Sequence, residues 1–129
     1  GKKLAVYLAL NLEHFSYGEG LGAKLATSTS PDVLNYAWRE YGNRVGAWRM
    51  LSMFAKLDLP VSVLVNTSLY EHCPELVKAF CDRGDEIVAH GYSNAFSQSD
   101  MAIAEEKAMI AEISFSALSA RAERHSFNH

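Results

Sequence analysis

The residues best suited to chemistry lie at the ends of two apolar runs that are far apart in the chain. Asn11 and Glu13 follow the first run, and His90 and Asn94 follow the last one. A carboxylate can take a proton from water and an imidazole can donate one, so Glu13 and His90 could together support acid–base hydrolysis. The ordinary alternative, slightly favoured by the local sequence alone, is that His90 caps a strand and Asn94 sits in a turn.

The predicted direction of the side chains divides the residues after the first run between two sides of the backbone. Asn11 and Glu13 are two positions apart, so on an extended backbone they point to the same side, whereas His14 points to the other. Gly91, directly after His90, allows backbone angles that other residues resist, which is typical of a turn after a strand. Three nearby aromatic residues are candidate pocket linings, although packing explains each one equally well: Phe15, Tyr17 and Tyr92.

The elements that must position these residues alternate along the chain. Apolar runs at 4–10, 61–65 and 86–89 predict three strands, and the continuous first run predicts a strand that is covered on both faces. Helices are predicted over 32–41, 44–57, 74–82 and 101–118. Gly42-Asn43 is expected to separate the first two, and Ser30, Asp32, Ser99 and Asp100 are candidate caps. Pro74 and Gly84 are expected to begin and end the third helix.

This alternation predicts an α/β fold with a parallel sheet and right-handed crossovers. Because parallel strands point their carboxyl ends the same way, we expect one sheet edge to carry Asn11, Glu13, Asn66, His90 and Asn94. In the second helix, the spacing of Trp48 with other apolar residues predicts a core role rather than stacking on a sugar.

The connection at 16–31 is rich in glycine, serine and threonine and is longer than most connections in a compact domain. Its glycine spacing could suggest phosphate binding, but no Lys-Ser/Thr pair follows it. We therefore interpret it as a substrate loop or a mobile loop rather than a P-loop.

Composition excludes several classes of function. The chain has 129 residues, 49% hydrophobic and 21% charged, with a formal net charge of −3. These values predict one ordinary globular domain with no nucleic-acid or membrane partner, and the absence of a signal-peptide pattern favours a cytoplasmic location. Cys73 and Cys81 are predicted to lie along one helix about 12 Å apart, too far for a disulfide.

Four segments together resemble the polysaccharide deacetylase (NodB-homology) family. They are residues 44–49 (RVGAWR), 59–63 (LPVSV), 73–77 (CPELV) and 83–92 (RGDEIVAHGY). The resemblance covers about 4–113 and is nearest the branch that contains cyclic-amide hydrolases such as metal-independent allantoinase. It implies a partial (β/α) barrel that is truncated after about the fourth helix, followed by a divergent tail at 114–129.

Activity and site residues follow from this resemblance. Members hydrolyse carbon–nitrogen bonds other than peptide bonds, and the metal-dependent ones use an Asp-x-Asp and a His-x-x-x-His. Asn11 stands at the position of the general base, Glu13 at that of the metal-binding aspartate, and His90 and Asn94 at those of the histidines. Only Glu13 and His90 remain good ligands, so we expect no cofactor, with a weak zinc site on those two residues as the alternative.

The resemblance therefore implies an amide hydrolase acting on an N-acetylated sugar or a cyclic amide. Glu13 and His90 would be catalytic, and the expected substrate-binding residues are Asn11, Asn94, Tyr92 and Arg44. An ion pair between Arg44 and Glu40 is the more ordinary interpretation of that arginine. The alternative function is a non-catalytic carbohydrate-binding or inactive fragment of the same fold. An uncovered sheet edge would favour a homo-oligomer.

Overall fold

A computed structural model describes residues 1, 3–18, 33–94 and 101–126, with side chains described as far as residue 119. The predicted loop at 16–31 lies outside the described residues beyond Gly18. The candidate caps Ser30, Asp32, Ser99 and Asp100 also lie outside them.

Three short strands form a parallel sheet in chain order, which confirms the predicted α/β class. They are β1 (Ala9–Leu12), β2 (Ser62–Val65) and β3 (Glu86–Ala89), with β2 in the centre. Both pairings are parallel, and Leu12, Val65 and Ala89 form the last row of the register. The three carboxyl ends therefore reach the same edge.

The first strand is shorter than predicted and lies later in the chain. It begins at Ala9 rather than at residue 4, and Leu4, Val6 and Tyr7 are 80%, 76% and 71% exposed. A strand needs a partner for its backbone groups, and the four residues of β2 pair with four residues of β1. The hydrophobic pattern identified this strand, but it could not show at which residue pairing with β2 begins.

A continuous helical segment follows the first strand. It consists of α1 (Val33–Tyr41), a π-helix (Gly42–Gly46) and α2 (Ala47–Lys56). The predicted break at Gly42-Asn43 is wrong, because Tyr41 and Gly46 both keep right-handed helical angles across the junctions. The wider π-turn accommodates an extra residue where the sequence suggested an interruption.

The second half of the chain follows the predicted order more closely. After β2 comes a single turn, α3 (Leu69–His72), which was not predicted. Then α4 (Pro74–Arg83) begins at its proline and ends at Gly84, which has the left-handed φ of 89° typical of a helix stop. A long α5 (Ile103–Ser126) follows β3, packs against it and against α4, and runs without interruption through residue 113.

The core lies between the sheet and the helices. Its buried apolar side chains come from β1, β2, α2, α3 and α4. They include Leu12, Val63, Val65, Ala47, Phe54, Leu69, Leu76, Val77 and Phe80. In the central strand only Leu64 is not fully buried, as expected for a parallel strand that is covered on both faces. The core fixes the strand ends, and those ends carry the polar residues described next.

Candidate functional site

Glu13 and His90 meet at the carboxyl edge of the sheet. Glu13 Oε1 lies 3.3 Å from His90 Nε2, although 77 positions separate the two residues in the chain. Both side chains are half-buried, with 29% and 33% exposed. The pair therefore combines a proton acceptor and a proton donor in a place that a small molecule can reach.

The register of the sheet explains this meeting. Leu12, Val65 and Ala89 lie side by side in the last row of the ladder. The next residue along each strand is Glu13, Asn66 or His90 respectively, so three polar residues emerge together. The convergence that was predicted from parallel strand direction is observed for this set.

Asn66 ties the three strand ends together. Its side chain is fully buried, and its Nδ2 donates to the carbonyl of His90 at 2.6 Å. Its Oδ1 accepts from the backbone N–H of His14 at 2.8 Å. Sequence reasoning placed Asn66 at this edge but did not identify this bridging role, because polarity at a strand end does not reveal which backbone groups it will satisfy.

The turn after His90 is held against the loop that follows β2. Gly91 has a φ of 77°, which accounts for glycine at this position. Its carbonyl accepts from Thr67 N–H, and the Tyr92 carbonyl accepts from Ser68 N–H, both at 3.0 Å. The Asn94 N–H donates to the His14 carbonyl at 3.0 Å, which closes the turn onto the end of β1.

The predicted substrate-binding residues divide into two groups. Asn11 lies on the same side as Glu13, and its Nδ2 approaches Glu13 Oε1 at 3.4 Å. Asn94 and Tyr92 lie in the turn beside His90, and both are half-buried. Arg44 lies elsewhere, on the π-helix, where its Nε contacts Glu40 Oε2 at 3.0 Å. The ion pair offered as the ordinary interpretation of Arg44 is therefore present.

His14 lies on the opposite side of the strand end from Glu13, as its position predicted. Its ring is 7% exposed, its Nδ1 is 3.1 Å from Ser68 Oγ, and it lies 3.8 Å from the ring of His72. Since Ser68 Oγ donates to the Tyr92 carbonyl, it accepts a hydrogen bond from His14 Nδ1–H. Burial, and secondarily the charge of His72, lower the pKa of His14, and Glu40 opposes this.

A cleft of about 510 Å³ opens on this second side. Its lining side chains come from three segments, which are 14–17, 36–48 and 72–76. Asn43, which is buried, donates from Nδ2 to the Glu13 carbonyl at 2.8 Å and so joins the π-helix to the end of β1. The cleft and the Glu13–His90 pair thus both adjoin the backbone at the end of β1.

Trp48 lines this cleft and is 38% exposed, so the predicted core role is wrong. The buried face of α2 runs instead through Ala47 and Phe54, which are seven positions apart and therefore on the same side. Trp48 is one residue from Ala47, a rotation of about 100°, and this turns its ring away from the core.

The environment of Cys73 does not suit a nucleophilic thiol. Neither Cys73 nor Cys81 forms a disulfide, and both are half-buried. Burial raises the pKa of Cys73, Glu40 and Glu75 raise it further, and Arg44 lowers it. Since the thiolate is the nucleophile, this environment opposes thiol catalysis by Cys73.

The donor set at the sheet edge does not fit a catalytic zinc site. Such sites use three protein ligands, and among the described residues at this edge the Glu13–His90 pair supplies two. Within the described ranges, no group of three or more histidine, cysteine, aspartate or glutamate side chains could hold a metal ion. Over the same ranges, no helix has the length and hydropathy to cross a bilayer.

Comparison with known proteins identifies the fold through structure alone. No protein-family model and no curated protein matches the chain. Among solved structures, a Puue allantoinase matches with a TM-score of 0.72 and 22% identity, covering 90% of this chain and 42% of that one.

Two further solved structures agree with the first. A probable polysaccharide deacetylase from Pseudomonas aeruginosa PAO1 matches with a TM-score of 0.71 and 24% identity, covering 90% of this chain and 43% of that one. A putative polysaccharide deacetylase from Mycobacterium smegmatis matches with a TM-score of 0.64 and 16% identity, covering 90% and 39%. The predicted fold is confirmed, and the chain spans less than half the length of each of these proteins.

Proposed function

We propose that this chain hydrolyses carbon–nitrogen bonds other than peptide bonds, in an N-acetylated sugar or a cyclic amide. The observation that carries the proposal is the 3.3 Å contact between Glu13 Oε1 and His90 Nε2 at the carboxyl edge of the sheet. The shared fold with an allantoinase and with polysaccharide deacetylases supports this reaction class.

In the proposed reaction, Glu13 acts as the general base. Its carboxylate takes a proton from a water molecule while the water oxygen attacks the carbonyl carbon of the substrate. His90, in its protonated form, first polarises the carbonyl oxygen and then donates its proton to the leaving nitrogen as the carbon–nitrogen bond breaks. The proton that Glu13 took from water then passes to the neutral imidazole of His90 across their 3.3 Å contact, which restores both groups. The half-buried position of both groups suits this chemistry, because partial exclusion of water strengthens each electrostatic contact.

The proposed substrate contacts surround this pair. Asn11 offers an amide beside Glu13, and Asn94 and Tyr92 lie in the turn beside His90. These side chains would bind polar atoms of the substrate. Arg44 would contact an anionic group only after leaving Glu40, with which it pairs at 3.0 Å.

No step is assigned to a metal ion, since Glu13 and His90 fall short of the three-ligand set of catalytic zinc. Asn11, at the position where the resemblance places the general base, has no carboxylate to accept a proton. Glu13 therefore takes the role of base in this proposal.

The test is hydrolysis of allantoin and of N-acetylglucosamine oligomers, followed as carboxylic acid or acetate release. Glu13→Gln and His90→Gln should each lower kcat by about 100-fold or more, because each removes a proton-transfer group. Glu71→Gln removes a similar charge from an exposed position of α3 and should leave the rate unchanged.

Parallel assays with zinc and with a chelator decide the metal question. Equal rates in both conditions are expected. The proposed hydrolysis is rejected if Glu13→Gln keeps the wild-type rate or if neither substrate class is hydrolysed, and the metal-free mechanism is rejected if the chelator abolishes all activity.

A further inference from the structure

The cleft on the His14 side of the strand end is separate from the Glu13–His90 pair. Glu13 and His90 are not among the described residues that line it. Its volume of about 510 Å³ is within the range of small-molecule sites. Of the residues given a role in the proposed hydrolysis, Arg44 is the one that lines it.

Aromatic rings form much of its wall. Tyr17 and Tyr36 meet edge to face with their ring centroids 5.1 Å apart, and Trp48 also lines the space. Tyr17 and Trp48 remain 51% and 38% exposed rather than packed into the core. The face of an aromatic ring carries partial negative charge, so rings that line a cleft can attract a cation that enters it.

Carboxylates give the same cleft a negative character. Glu40 and Glu75 line it, and so does Arg44, which is paired with Glu40. Burial is the main cause of the raised pKa of Cys73, which also lines the cleft, and the charges act in addition: Glu40 raises this pKa more than Arg44 lowers it, and Glu75 raises it as well. The positive amino end of α4 lies beside Glu75 and offsets part of this field.

We propose that this cleft binds a small organic cation, such as a quaternary or primary ammonium compound, between its aromatic rings and its carboxylates. Cations over aromatic faces are attracted by the ring quadrupole, and a nearby carboxylate adds to the attraction. The adjoining surface already shows this interaction, since the guanidinium of Arg39 lies 3.7 Å from the centroid of the Phe15 ring. The proposal does not depend on the hydrolytic activity.

The first experiment compares choline with 3,3-dimethyl-1-butanol, which has the same shape but no charge. Each is titrated into the full chain and followed by calorimetry. Choline should bind about tenfold more tightly than the neutral compound. Equal affinities, or no binding of choline at millimolar concentrations, would overturn the proposal.

Variants then locate the binding. Glu75→Gln should weaken choline binding about threefold or more, and Trp48→Leu by about tenfold, with little change for the neutral compound. The matched controls are Glu71→Gln and Trp38→Leu, which alter exposed residues that are not among the described lining of the cleft.

Folding and specificity controls complete the test. Circular dichroism checks each variant, and Tyr36→Leu replaces Trp48→Leu if the latter is unfolded. Glu13→Gln should leave choline binding unchanged, which separates this proposal from the hydrolytic one. Binding that no cleft variant weakens would place the ligand elsewhere and reject the proposal.

Discussion

Glu13 and His14 are neighbours in the chain but serve opposite sides of one strand end. Glu13 contacts His90, whereas His14 contacts Ser68 and His72 beside the cleft. The alternation of side chains along an extended backbone accounts for this division. A shift of one residue in the register of β1 would exchange the two environments and place a buried carboxylate against His72.

The burial of His14 makes stability depend on pH. Well above pH 6.5, its ordinary pKa, His14 is neutral in both states, whereas near and below that pH the unfolded chain binds the proton more readily because the pKa of His14 is lowered in the folded chain. The free energy of unfolding should therefore fall as the pH is lowered from about 7 to about 5, and His14→Gln should show a shallower fall. Urea denaturation at several pH values measures this slope.

His72→Gln provides the comparison for that slope. It removes the charge that helps to lower the pKa of His14 but leaves the larger cause, burial, in place. Its pH dependence should lie between those of the wild type and His14→Gln. Identical slopes for the wild type and His14→Gln would show that another group controls acid stability.

Among the elements, the strands are the easiest to identify from the sequence, but their first and last residues are the hardest to predict. The parallel order followed from alternation of strands and helices, and it correctly brought Glu13 and His90 together. The start of β1 could not be predicted, because pairing with β2 decides it and hydrophobicity does not report pairing.

The helices show a different limit of prediction from sequence. The π-helix at Gly42–Gly46 looked like a break because glycine is a poor helix former, and buried contacts of the neighbouring Asn43 override that preference. The wrong position predicted for Trp48 has a similar origin, since a helical pattern fits more than one phase when apolar residues are frequent. A single turn such as α3 carries too few residues to show any periodicity.

The hydrogen bonds that connect the strand ends depend on Asn66. Replacing it with alanine leaves the carbonyl of His90 and the N–H of His14 without this partner. Asn66→Ala should lower the free energy of unfolding by about 2–4 kcal/mol, measured by urea denaturation. Asn11→Ala, at an exposed position of the same edge, should change it by less than about 0.5 kcal/mol. Similar losses in both variants would mean that Asn66 does not hold the edge.

At the scale of the whole molecule, the described sheet ends in two edge strands, β1 and β3. Within the described ranges, β1 and β3 each pair with β2 alone, so each has one side without a strand partner. The apolar stretch before β1 is also exposed at Leu4, Val6 and Tyr7. Unpaired strand edges beside apolar surface favour association with another chain.

We therefore expect this chain to self-associate in a concentration-dependent way, as measured by sedimentation velocity. Val6→Lys should weaken the association, because charge beside an edge strand opposes pairing. Leu34→Lys changes an equally exposed apolar residue on α1 and should have little effect. A chain that stays monomeric at all concentrations would contradict the expectation.

The π-helix also makes side-chain direction sensitive to chain length. Each residue of an α-helix turns the chain by about 100°, so removing one residue from Gly42–Gly46 would merge α1 and α2 and rotate α1 by about that angle. Ala47 and Phe54 would keep their places in the core, but Tyr36 and Glu40 would turn away from the cleft. One added or lost codon at this point could therefore create or abolish a binding surface while the hydrophobic core stays the same.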